Sequence, residues 1–172
     1  MRFAGVCYRA HDPKWAFRPL SGDGAAVRGG RFNPPGVPAL YLSLRIETTL
    51  LEVSAGLPER MSPCTLCVYD VDCEPVVDLR TAKDWQNAGI DSQDMACAWL
   101  MLALAGKEPP TWRLARRLIG AGAAGVLVPS FATGAAADDQ NLVLWRWGAD
   151  LPHRVVVYDP EGRLPSDQSS WP

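Results

Sequence analysis

Arg28-Gly29-Gly30-Arg31-Phe32-Asn33-Pro34 is the first segment of this chain whose residue types could do chemistry. Glycines let a backbone approach a ligand closely, and Arg side chains can clamp a diphosphate through charge-assisted forks. The same string also reads as a solvated turn, or as one copy of an RGG-type RNA segment. Glu52 is a candidate carboxylate. On local grounds it is a surface residue like Glu47, because it faces away from the apolar stripe Ile46, Leu50, Val53 and Leu57. Tyr41, between Leu40 and Leu42, reads as a packing residue with a polar tip. Tyr8-Arg9 closes a short strand, where Arg9 reads as an ion-pair or edge residue. Ser130 follows a buried strand and Pro129. It lacks a GxSxG setting, so a hydrolase elbow is not indicated, and a turn role is the local alternative.

Two cysteine arrangements compete with these. Cys64 and Cys67 form a CxxC, but a second ligand pair is missing and only His11 and His153 could help, so no metal site is expected. Cys7 and His11 could form a nucleophile pair, although nothing in their spacing supports it.

The elements that must position these residues alternate irregularly. Strands are predicted over 3–8 and 39–43, and a long Pro/Gly/Arg-rich loop over 12–38. A helix is expected from about 45 to 57 with Ser43 as a possible cap. Residues 64–72 and 75–79 read as a hairpin. A deeply buried helix is expected over 92–105, and a second over 110–119 that begins with Pro110. Strands follow over 124–128, 142–147 and 154–158. One domain over 1–160 and a frayed tail over 161–172 are expected. Strands and helices are partly segregated, which predicts an α+β fold.

Composition narrows the function. The net charge is −2, with three lysines against fourteen arginines. Phosphate-backbone binders usually carry a strong basic excess, so no direct nucleic-acid role is expected. The N-terminal residues carry no secretory pattern, and no apolar run is long enough to span a bilayer. Five cysteines without a regular framework fit a reducing compartment, so the expected location is the cytoplasm, with no membrane partner.

In order along the chain, several strings together resemble the RES family of bacterial toxins. They are Tyr8-Arg9, Gly30-Arg31-Phe32-Asn33-Pro34 with Gly36, and Ala39-Leu40-Tyr41-Leu42-Ser43. Further on come Thr49-Leu50-Leu51-Glu52, Gly125-Val126-Leu127-Val128-Pro129-Ser130 and Asn141-Leu142-Val143-Leu144. Residues 74–120 match only in helical character. The family is named for an Arg, a Glu and a Ser, matched here by Arg31, Glu52 and Ser130.

The resemblance implies an ADP-ribosyltransferase-like, split, mostly antiparallel sheet with flanking helices. It implies NAD as substrate and no prosthetic group. Glu52, Arg31 and Ser130 would be catalytic, and Tyr8, Arg9, Arg31, Asn33, Tyr41 and Ser130 would contact NAD. Glu52 would stabilise an oxocarbenium-like ribose as nicotinamide leaves, in the manner of a glycosidase carboxylate. The acceptor of ADP-ribose is left open among water, phosphate and a target protein such as a phosphoribosyl-pyrophosphate synthetase. An Xre-type helix-turn-helix antitoxin is the implied partner, blocking the site. Trp15, Trp112 and Trp147 are candidate residues for that interface. A different class of reading is a non-catalytic phosphate- or RNA-binding module using Arg28, Arg31, Arg113, Arg116 and Arg117. Another is an inert partner of a regulator.

Overall fold

Side-chain alternation sets which face of each strand is buried. In β2 (Leu40–Ser43), Leu40 and Leu42 face one way and Tyr41 the other. The same division separates Leu142 and Leu144 from Val143 in β6 (Gln140–Leu144), and Leu127 from Val126 and Val128 in β5 (Gly125–Pro129). The computed structural model describes residues 1–55 and 61–169. It adds β1 (Phe3–His11), β3 (Thr65–Cys73), β4 (Val76–Asp78) and β7 (His153–Val157) to one seven-stranded sheet, in the order β4-β5-β6-β2-β1-β3-β7. Among the strands of the described residues, only β4 and β5 pair in parallel. Helices α1 (Asp23–Arg28), α2 (Ile46–Ser54), α3 (Ala82–Asn87), α4 (Ser92–Met95), α5 (Trp99–Leu104) and α6 (Pro110–Gly120) complete a mixed α+β fold. Leu57, the last residue of the predicted stripe, lies outside the described residues.

The predicted hairpin over 64–79 does not form. Only Glu74 and Pro75 separate β3 from β4, but both edges of β3 are already taken, with Cys73 opposite Phe3 on one side and His153 on the other. β4 therefore pairs with β5 at the far end of the sheet. Three Cα steps span at most about 11 Å. In a flat sheet, five strand spacings would separate β3 from β4 by about 24 Å. The sheet must curl so that its ends approach each other. Inside the curl lie Cys7, Leu40, Leu42, Tyr69, Val71, Leu127, Leu142 and Leu144, all buried. On the outer face, Val126, Val128 and Val143 pack with Phe32, Met95, Leu114, Ala115 and Trp145 beneath the helices.

Within this sheet β1 and β2 barely touch. All nine residues of β1 pair with β3, whereas β1 and β2 share one register pair, Tyr8 with Ser43. Beyond that pair the strands part, and a cleft opens between Arg9-Ala10 and Tyr41-Leu42.

Three other expectations change. The 12–38 loop contains a short 3₁₀ turn at Pro13–Trp15 and α1. The buried helix over 92–105 is broken into α4 and α5, and Leu100, Met101 and Leu104 are exposed. The segment after Pro160 is attached at its start. Asp159 accepts from the N–H groups of Arg163 and Leu164, and Leu164 packs on the inner core. No helix among the described residues is long and apolar enough to cross a membrane.

The close approach of β5 to β6 is testable. A Cβ on Gly125 would lie 2.5 Å from the Val143 carbonyl oxygen, while one on Gly5 would meet only the Phe3 ring at 3.6 Å. Gly125→Ala is expected to lower unfolding free energy by about 1–3 kcal/mol through overpacking. Gly5→Ala should stay close to wild type, with urea denaturation as the measurement.

Candidate active site

The turn Gly30-Arg31-Phe32-Asn33 is held at nearly every polar atom. Gly30 N donates to the Asn33 carbonyl at 2.9 Å. Asn33 is completely buried, and its Nδ2 donates to the carbonyls of Ala25 (2.9 Å) and Val37 (2.8 Å). The Tyr41 hydroxyl donates to Asn33 Oδ1 at 2.7 Å and accepts from Phe32 N at 2.9 Å. Burial pushes that phenol well above its usual range. Two indoles complete the clamp, as Trp112 Nε1 donates to the Gly30 carbonyl (2.7 Å) and Trp145 Nε1 to that of Phe32 (2.9 Å). Position 30 admits only glycine, since a Cβ would sit 2.5 Å from the Tyr41 hydroxyl. The Arg31 side chain is left to project from the turn into the cleft.

That cleft measures about 530 Å³, within the roughly 300–1,000 Å³ of small-molecule sites. Arg31 Nη1 donates to the carbonyls of Cys97 (2.7 Å) and Met95 (3.2 Å), and its guanidinium lies 4.5 Å from the centre of the Phe131 ring. The helix predicted over 92–105 breaks where these carbonyls turn toward Arg31. On the other wall, Arg9 Nη1 donates to the carbonyls of Ser21 (3.0 Å) and Pro19 (3.4 Å). Desolvation lowers the pKa of both guanidiniums. Among the described residues neither forms an ion pair with a carboxylate.

Glu52 reaches this cleft because α2 is rotated relative to its apolar stripe. Thr48, Thr49 and Ser54 are the buried side chains of α2, while Ile46 and Val53 are 40% and 46% exposed. The buried threonines have internal partners, which makes that rotation tolerable. Thr48 Oγ1 donates to Asp139 at 2.5 Å, and Thr49 Oγ1 to the Arg45 carbonyl at 3.1 Å. Glu52 thus lies in the last turn of α2, where helix carbonyls disfavour a carboxylate. Two donors offset this. The Ser130 hydroxyl donates to Glu52 Oε1 at 2.7 Å, and Asn141 Nδ2 donates to the same oxygen. Ser130 Oγ in turn accepts from Ala132 N at 3.2 Å.

Tyr8, Arg9, Arg31, Tyr41 and Glu52 all line the cleft. Ser130 is buried behind Glu52 and acts on it directly. Asn33, expected to touch substrate, does not line the cleft. Its amide is consumed by the turn, so its contribution is to fix Tyr41 and Arg31. The Cys7–His11 pair is not formed either. Cys7 lies in the inner core, its thiol pushed up to about 12 by burial, and His11 Nε2 is bonded to the Tyr69 hydroxyl at 2.6 Å. No group of three or more potential metal ligands occurs among the described residues. Of the three candidate interface tryptophans, Trp112 is buried in the clamp and Trp147 donates to the Leu20 carbonyl; Trp15 is 51% exposed.

Sequence reasoning gave no role to Asn141, Phe131 or Trp99, which also line the cleft. The available signal for Asn141 was a polar residue at the head of the apolar run Leu142-Val143-Leu144. Phe131 and Trp99 carried none, because an aromatic residue's default role is packing.

Two outcomes follow from this geometry. Tyr41→Phe keeps the ring but strands Asn33 Oδ1 and the Phe32 N–H, at an expected cost of about 1–3 kcal/mol in urea unfolding. His11 is lowered from 6.5 to about 4, by burial first and by Arg9 second. The unfolded chain therefore binds the extra proton between those values, and stability must fall as pH drops from 6.5 toward 4. In thermal melts across that window, His11→Gln should lose part of this dependence.

The RES domain profile matches residues 6–167. A search of curated protein sequences finds no match. Among solved structures, the chain is similar to one in the crystal structure of the M. tuberculosis MbcT–MbcA toxin–antitoxin complex. The two share 22% identity with a TM-score of 0.60, covering 92% of this chain and 84% of that one. Given a profile match over almost its whole length, with an Arg and a Glu at one cleft and a Ser hydrogen-bonded to that Glu, this chain belongs to the RES domain family.

Proposed function

We propose that this cleft binds NAD and cleaves its nicotinamide–ribose bond, passing ADP-ribose to an acceptor. One observation carries the reading. Two guanidiniums, Arg9 and Arg31, are anchored by carbonyl oxygens rather than neutralised by carboxylates, in the same cleft as a carboxylate held by two donors. Carbonyls orient a guanidinium without cancelling its charge, so both remain able to grip a diphosphate. Tyr8, Trp99 and Phe131 offer aromatic faces for the nicotinamide ring.

The chemistry balances without a metal. The C1′–N bond breaks, its electron pair leaves with neutral nicotinamide, and positive charge develops on the ribose. Glu52 stabilises that charge and can accept a ribose hydroxyl proton in a hydrogen bond. An acceptor oxygen then bonds to C1′ and gives up its proton to solvent. Ser130 acts through Glu52, holding its carboxylate in place.

Family membership and the likeness to a chain of a toxin–antitoxin complex support a toxin role in the cytoplasm. On this reading the partner is an Xre-type antitoxin that covers the cleft. Whether ADP-ribose goes to water, to phosphate or to a protein such as a phosphoribosyl-pyrophosphate synthetase is settled by product analysis. Labelled NAD incubated with cell lysate gives a labelled protein band for a transferase, and free ADP-ribose or its 1-phosphate for an NAD-depleting enzyme.

Purified protein is expected to release nicotinamide from NAD. Glu52→Gln and Arg31→Ala should each reduce kcat/KM by about 10²-fold or more, the scale of losing an electrostatic stabiliser. Wild-type rates in both variants would remove the site assignment. Salt-dependent RNA binding without any nicotinamide release would favour a binding module instead.

A further inference from the structure

Glu52 has two hydrogen-bond donors, and they differ in how firmly they are themselves held. Ser130 follows β5 with its backbone N–H on the Asp139 carbonyl at 2.7 Å, but its hydroxyl oxygen is anchored only by one longer bond from Ala132 N at 3.2 Å. Asn141 sits inside the sheet, in register with Ser43 of β2 on one side and Val128 of β5 on the other. Its side-chain orientation is also forced. An ionised carboxylate can only accept, so the Asn141 amide must turn Nδ2 toward Glu52 and Oδ1 away. Oδ1 then needs a donor, and the buried Ser43 hydroxyl supplies it at 2.8 Å.

We propose that Asn141, backed by Ser43, is the positioning residue that sets the orientation of the Glu52 carboxylate. Together with Ser130 it occupies Oε1 and leaves Oε2 without a partner among the described residues, free for the ribose. The order of donation is Ser43 hydroxyl to Asn141 Oδ1, then Asn141 Nδ2 to Glu52 Oε1. It ties the carboxylate to β2 and β6 rather than to α2 alone. This inference rests on the reading of Glu52 as the carboxylate that faces the ribose of NAD.

The test compares wild type with Asn141→Ala, Ser43→Ala and the isosteric Asn141→Asp in nicotinamide release over a range of pH. Asn141→Ala is expected to lower kcat by about tenfold to a hundredfold, the scale of misplacing a reacting group, with KM for NAD changed by less than about threefold. Ser43→Ala should move kcat in the same direction by less. Asn141→Asp puts a second carboxylate against Glu52, and two such groups share a proton. The acid limb of its pH–rate profile should therefore move up by on the order of one pH unit. A purely structural role would lower the melting temperature and leave the shape of that profile unchanged, and this result would overturn the proposal. So would an Asn141→Ala variant that raises KM at unchanged kcat. A wild-type protein that releases no nicotinamide would instead overturn the NAD reading, and the proposal with it.

Discussion

The hydrogen bond from the Tyr41 hydroxyl to the Asn33 side-chain oxygen is the interaction on which the site most depends. It joins a strand of the sheet to a turn that has no regular structure of its own to hold it. Both groups are polar and deeply enclosed, so each would carry a large desolvation cost if left alone. Together with Phe32 N, the Ala25 and Val37 carbonyls and two indole N–H groups, they form a network in which nearly every member is paired. Such a network tolerates few geometries. Its product is the position of Arg31, whose backbone lies inside the clamp and whose side chain leaves it.

Among the described residues, the two arginines of the cleft are held differently from several arginines at the surface. Arg2, Arg45, Arg80, Arg116 and Arg154 meet carboxylates at the surface. Exposed pairs of this kind contribute little to stability. Arg9 and Arg31 are partly buried and meet carbonyl oxygens. Their lowered pKa records a desolvation cost that a carboxylate partner would have relieved. A fold that accepts this cost on both walls of one cleft keeps positive charge available there, as the proposed anionic substrate would require.

Much of the fold was legible because its signal is local. The apolar runs at Leu40–Leu42, Gly125–Val128 and Leu142–Leu144 gave their strands, and Pro110 marked the start of α6. What failed depended on distant partners. The hairpin over 64–79 was excluded by β1 and β7, which occupy both edges of β3. The helix over 92–105 was broken where its carbonyls turn to Arg31, more than sixty residues earlier in the chain. In α2, hydrophobic spacing pointed to the wrong buried face, because Thr48 and Thr49 find hydrogen-bond partners that periodicity does not register. The candidate site residues were read from the order of their motifs, and the fold brings Tyr8, Arg9, Arg31, Tyr41 and Glu52 to one cleft. That Asn33 and Ser130 lie off the cleft wall was not legible, since which way a polar side chain faces depends on partners far along the chain.

The narrow junction of β1 with β2 connects these features. Tyr8 and Ser43 are the last point at which the two halves of the sheet meet before they part. Ser43 also donates to Asn141, which in turn donates to Glu52. The carboxylate is thus referenced to the β2 side of the opening, as is Arg31 through Tyr41. Arg9 alone among the charged cleft residues belongs to the β1 side, tied to the carbonyls of Pro19 and Ser21. A dinucleotide whose diphosphate engages both arginines would therefore bridge the split. The Glu52 carboxylate takes its donors from the same half as Arg31, while its helix α2 packs on both β1 and β2 and so spans the junction. On the proposed reading, Asn141 and Ser130 would orient the carboxylate from the β5–β6 side, α2 would carry it across the junction, and Arg9 would add binding from the β1 wall.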